Sequence, residues 1–83
     1  LMSDQMANGM TGLPSAGEVW VHYTGREYQV VATCRCERTG CPQVVYRELR
    51  GQGVWVRPLE EWLGTVRDSG HPEGVRRFVR KGA

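Results

Sequence analysis

Apolar and polar residues alternate with a period of two along much of this chain, which predicts strands rather than helices. The clearest runs are Gln43-Val44-Val45-Tyr46-Arg47-Glu48-Leu49 and Val54-Trp55-Val56-Arg57-Pro58, joined by Arg50-Gly51-Gln52-Gly53. If Gly51 supplies the positive φ of a type II′ turn, the two runs form a tight hairpin. Upstream, the pattern predicts strands over Glu18 to Tyr23 and Glu27 to Arg35, with turns at Thr24-Gly25 and Arg38-Thr39-Gly40. Pro58 suits a first helical position, Glu60 and Glu61 suit the positive end of the dipole, and Gly64 suits the stop. That predicts one helical turn with Leu59, Trp62 and Leu63 on its buried side. Asp68 to Gly74 is turn chemistry, and Val75 to Arg80 is long enough for one closing strand. Five short strands with a single helical turn before the last predict a mainly β fold, a small closed or nearly closed barrel.

Pairing through the turns sorts side chains onto two faces. With Gly51 and Gln52 as the loop, Leu49 lies opposite Val54, Glu48 opposite Trp55, Arg47 opposite Val56 and Tyr46 opposite Arg57. Extending the alternation with Cys36 opposite Cys41 gives a core row of Tyr28, Val30, Ala32, Val45, Arg47, Leu49, Val54 and Val56. The other row holds Gln29, Val31, Thr33, Tyr46, Glu48, Trp55 and Arg57. Two large aromatics beside an arginine and a glutamate on an outer face point to a contact site. Arg47 falls in the inward row, where an arginine needs the barrel's open end or a carboxylate such as Glu60 or Glu61.

Composition changes this picture little. The 83 residues allow one domain, and their apolar and charged fractions of 40% and 24% are ordinary for a globular protein. Residues 1–16 show neither period and read as a flexible leader, leaving 17–83 as the single domain. No apolar stretch approaches the roughly 20 residues that span a bilayer, and no signal peptide is evident, so the expected location is cytoplasmic. The formal net charge of +2 is a weak signal for a polyanion partner.

Candidate chemistry is sparse. Cys34, Cys36 and Cys41 offer three thiols on one hairpin, one short of a tetrahedral zinc set unless His22 or His71 joins them. Small strand and turn residues are the simpler account, and a Cys36 to Cys41 disulfide is possible in an oxidising compartment. His22 has no nucleophile or carboxylate at a telling spacing, and the serines lie in turn or leader segments. The glycines at 51 and 53 flank a hairpin and need no phosphate to explain them. No catalytic residue, metal or cofactor is expected.

Four ordered stretches carry a resemblance. His22-Tyr23-Thr24-Gly25 with Tyr28 and Val30, then Val44-Val45-Tyr46-Arg47, then Trp55-Val56-Arg57-Pro58-Leu59-Glu60, and Arg77-Phe78 resemble the motifs of the bacterial family called domain of unknown function 1653. The resemblance implies a small barrel like that of Src-homology-3 domains, without assigned activity. Cys36 departs from it, standing where members typically carry histidine.

Three function classes remain. The first is a non-catalytic module that binds a protein, a peptide or a second copy, with Tyr46, Glu48, Trp55, Arg57, His22 and Arg47 as the partner-binding residues. In the second, Tyr46, Trp55 and Trp20 stack bases of RNA or DNA while the arginines track phosphates. The third is small-molecule binding at a subunit interface or an enzyme.

Overall fold

One extra residue, Val31, decides which way the main sheet faces. The computed structural model describes residues 12–82. Strands β1 (Val19–His22) and β2 (Glu27–Arg35) pair antiparallel, with Trp20 opposite Tyr28. Strand β3 (Pro42–Glu48) pairs with β2 through two registers: Tyr28 faces Glu48 and Val30 faces Tyr46, but Ala32 faces Val45 and Arg35 faces Pro42. Val31 is left over as a bulge, and a bulge reverses the side to which the following residues point. Tyr28 and Val30 therefore share a face with Tyr46 and Val44, not with Val45 and Arg47.

This corrects the expected rows. Val30, Val44 and Tyr46 are buried with Trp20, Trp62 and Phe78, and Tyr28, Leu59 and Leu63 pack against them. Tyr46, expected outside, is only 5% exposed. Arg47, expected inside, is exposed, and Val54 and Val56 lie beside it on the water-facing side.

Strand β4 (Val54–Pro58) pairs with β3 as Arg47 with Val54, Tyr46 with Trp55, Val45 with Val56 and Val44 with Arg57. The register differs by two residues from the expected one, because Gly51 does not adopt a positive φ. The turn instead runs over Leu49 to Gln52, closed by the Glu48 amide donating to the Gly53 carbonyl at 3.3 Å. Gly53 serves close packing: a Cβ there would come within 2.5 Å of the Trp55 indole.

The helical turn α1 (Leu59–Trp62) follows as expected, with Pro58 at its start and Glu60 and Glu61 in its first turn. Next come β5 (Thr65–Asp68) and β6 (His71–Arg76), a hairpin that spans the expected turn of Asp68 to Gly74 and takes Val75 and Arg76 from the expected closing strand. Its polar strands leave little alternation to read. The loop is Ser69-Gly70, with Asp68 Oδ1 accepting from the Gly70 amide at 3.0 Å. Strand β7 (Phe78–Arg80) pairs with β1, His22 opposite Phe78.

The main sheet is thus ordered β4-β3-β2-β1-β7, and β5-β6 forms a second sheet. The fold is mainly β, but seven strands replace the expected five. Among the described residues β4 and β7 do not pair, so the ladder is open rather than closed. Of the expected leader, residues 1–11 lie outside the described residues, while Pro14 is buried and the Ser15 amide donates to Glu18. No helix among the described residues is long and apolar enough to cross a membrane.

Candidate functional site

The inner face is an aromatic stack closed by one arginine. Trp62 reaches from α1 onto the sheet and stacks on Phe78 at 3.8 Å between centroids and 9° between planes. Trp20 and Tyr46 meet Trp62 edge-on at 5.6 Å and 4.9 Å, an arrangement that the ring quadrupoles favour. Arg57 lies over this stack from β4. Its Nε donates to the Tyr46 hydroxyl at 3.4 Å, one terminal nitrogen donates to Glu61 Oε1 at 3.1 Å, and the guanidinium carbon sits 5.8 Å from the Phe78 centroid. Arg57 thereby ties together β3, β4, α1 and β7.

His22 stands at the rim of the same stack, 4.9 Å from the Phe78 ring and 4.6 Å from Tyr23. Its Nδ1 is 2.7 Å from the Thr24 hydroxyl and 3.3 Å from the Thr24 amide. An amide can only donate, so Nδ1 is the unprotonated nitrogen. Burial, then the positive charges of Arg57, Arg77 and Arg26, hold its pKa below the usual histidine value. A neutral imidazole bonded to Thr24 and packed against Phe78 has the position of a structural group that holds the β1 turn.

The other expected site residues are dispersed. Glu48 lies in a charged cleft of about 510 Å³ with Arg26, Glu27, Arg50 and Lys81, where Lys81 Nζ is 2.7 Å from Glu27 and Arg26 is 3.9 Å from Glu48. Arg47 does not pair with Glu60 or Glu61; it donates to Gln29 Oε1 at 2.7 Å across the outer face. Trp55 shares the side of Tyr46 but lies beyond the stack, folded over Gly53. The structure therefore brings Tyr46, Arg57 and His22 together and leaves Trp55, Glu48 and Arg47 apart. Among the described residues no three His, Cys, Asp or Glu side chains are placed to hold a metal ion.

Strand β4 has a property that alternation did not reveal. The Glu48 to Gly53 bond sets the ladder phase, so Trp55 and Arg57 bond to β3 while the backbone groups of Val54 and Val56 turn to the free edge. Val54, Trp55 and Val56 are 61%, 49% and 54% exposed. Pro58, which has no amide hydrogen to offer, ends this edge. A β-branched run at an edge is chemically the same in sequence as one in a core, so only the bulge and the ladder order expose it.

Comparison with known proteins agrees with the fold. The family model described as "Protein of unknown function (DUF1653)" matches residues 18–80. Among solved structures, the chain is similar to the crystal structure of a DUF1653 protein from Bordetella bronchiseptica. The match has 26% sequence identity and a TM-score of 0.67, and covers 84% of this chain and 88% of that one. No curated protein matches the chain.

Proposed function

Because the chain belongs to the DUF1653 family of proteins of unknown function, the family supplies no activity, and we propose that it is a non-catalytic interaction module. It captures an extended segment of a partner protein by strand addition at β4. The observation that carries this reading is the exposed edge Val54-Trp55-Val56, whose outward backbone groups are a template for another strand. The sheets are read as an opened version of the Src-homology-3-like barrel, and the opening is what frees this edge. Trp55 supplies a rigid apolar anchor of the type that dominates interface energetics. Arg47, whose only side-chain partner among the described residues is Gln29, favours a segment with acidic residues. A second copy would instead bring another Arg47 and Arg57 to the same junction. The setting is taken as cytoplasmic, with which three free thiols accord.

Nucleic-acid binding is the weaker reading, because Trp20 and Tyr46 are buried and only Trp55 of the expected stacking residues reaches solvent. The test is selection of displayed peptides on the protein and on Val56→Pro, which removes an outward amide without breaking the bond to β3. Wild type should enrich alternating apolar and acidic peptides that Val56→Pro and Trp55→Ala fail to bind. Equal binding by both variants overturns strand addition. A steep fall with salt in affinity for oligonucleotides, without peptide enrichment, favours nucleic acid.

A further inference from the structure

The β2–β3 hairpin carries chemistry that the edge of β4 does not use. Cys34, Cys36 and Cys41 all have free thiols, and they sit within one turn of chain reversal. The Cys36 amide donates to the Cys41 carbonyl at 2.8 Å, and the Gly40 amide returns to the Cys36 carbonyl at 2.7 Å. Cys36 and Cys41 are therefore cross-strand neighbours at the base of the four-residue tip Glu37 to Gly40.

Distance selects this pair. The Cys36 amide bond makes this a hydrogen-bonded pair, whose Cβ atoms stand near the wider limit of about 5.5 Å, and a disulfide needs roughly 3.5–4.5 Å, so a closing movement of about 1–2 Å is required. All four tip residues are exposed, and the bonds that hold the tip are those of Arg35 to the Gly40 carbonyl at 2.9 Å and of the Cys41 amide to the Thr39 hydroxyl at 3.2 Å, both at the surface. Cys34 is worse placed: it lies opposite Gln43, and residues two apart on a strand are about 6.6 Å from each other.

The two thiols also differ in surroundings. The polar groups of Thr39, then the Arg38 amide, favour the thiolate and hold the Cys36 pKa below the ordinary thiol value. Donors stabilise the thiolate, and the thiolate is the nucleophile. Cys36 is half-buried, whereas Cys41 is open to solvent.

We propose that Cys36 and Cys41 form a reversible oxidation site, with Cys36 as the thiol oxidised first and Cys41 as its resolving partner. The oxidant is a hydroperoxide. The Cys36 thiolate attacks one peroxide oxygen, the O–O bond breaks, and the departing oxygen leaves as water or alcohol after taking a proton. Cys36 is then a sulfenic acid, oxidised by two electrons. The Cys41 sulfur attacks the Cys36 sulfur, the S–O bond breaks, and the hydroxyl leaves as water with the Cys41 proton as the S–S bond forms. A dithiol reductant reverses the step by exchange, returning two electrons and two protons. The staple adjoins Arg35 and Pro42, which line a groove of about 350 Å³ with Leu13, Pro14 and Leu59. Oxidation thus stiffens one wall of that groove.

The test is treatment of the reduced, full-length protein with hydrogen peroxide, followed by digestion and mass spectrometry. Wild type should yield an intramolecular Cys36–Cys41 peptide that disappears on reduction with dithiothreitol. Cys41→Ser should accumulate a dimedone-reactive sulfenic acid at Cys36, and Thr39→Val should slow its formation. In wild type, iodoacetamide should label Cys36 faster than Cys34 at neutral pH. The proposal is overturned if the cross-link involves Cys34, if disulfides form only between copies, or if Cys36→Ser consumes peroxide as fast as wild type. Circular dichroism of each variant separates lost chemistry from lost fold.

Discussion

The two faces of the main sheet are built from the same strands yet follow different rules. The inner face is aromatic: Trp20, Tyr28, Tyr46 and Phe78 interlock under Trp62 with nearly no exposure of the central rings. On the outer face Val54 and Val56 stand beside Arg47 at one end of the sheet and Val79 lies at the other, all of them exposed. Large rings on the inner side bury much area in a chain too short for a deep core. Valines on the outer side satisfy strand geometry without being packed, so they contribute little to folding and remain free for a partner. An apolar residue here is evidence about stability only on one face.

The sharpest way to break this contrast is to truncate side chains on each face. Phe78→Ala or Trp62→Ala should cost about 3–5 kcal/mol, the range for truncating a buried aromatic. Val56→Ala on the outer face should stay within about 0.5 kcal/mol, as ordinary surface substitutions do. Trp55→Ala should resemble Val56→Ala in monomer stability while abolishing peptide capture. Urea unfolding of the four variants decides it. A loss for Trp55→Ala as large as for Phe78→Ala would place the indole in the core and remove the contact surface.

A smaller effect probes the arginine that lids the inner face. Arg57→Met keeps the stem over Phe78 but loses the bonds to the Tyr46 hydroxyl and Glu61. The expected cost is about 1–2 kcal/mol, that of charged hydrogen bonds at a partly exposed site. Glu61→Gln should cost no more than roughly 0.5 kcal/mol, since its carboxylate is solvated. If the two variants cost the same, the Tyr46 bond contributes nothing.

How much of this was legible follows from where the period held. β1, β4 and α1 were readable because short alternation, a proline start and a glycine stop are local signals. Trp62 was assignable to packing for the same reason. The facing of β3 was not, because inward and outward rows were inferred by carrying one phase from Tyr28 through Ala32 to Arg47. Val31 looks like any strand residue, and the bulge it forms is a property of two strands together. That one residue moved Tyr46 inward and Arg47 outward. It also left the expected site as a mixture: Arg57 and His22 beside the core, Trp55 at the edge, and Glu48 in a separate charged cleft.

The least effect expected, and the most specific to the rim of the inner face, is that of pH on His22. Its pKa is lowered in the fold by burial and then by Arg57, Arg77 and Arg26, so acidification protonates the unfolded chain first. Stability should therefore fall as pH drops below about 7, through the ordinary histidine value near 6.5, and level off once the folded state also binds the proton. Two carboxylates act in a lower window. Burial raises Glu18, but bonds from the Ser15 amide, the Trp20 indole and Arg80 leave it lowered overall; Asp68 is lowered chiefly by its bond to His71. Their contributions are complete above about pH 4.5 and are lost as pH falls through their folded values. The urea midpoint of His22→Gln should thus diverge from wild type as pH falls through the ordinary histidine value near 6.5 and run parallel to it once the folded state also binds the proton. Since the chain has 2 histidines, the two ring signals in a proton NMR titration are readily assigned by this variant. A His22 ring titrating at or above the free value would mean that the rim is wetter, and the inner face less closed, than its rings indicate.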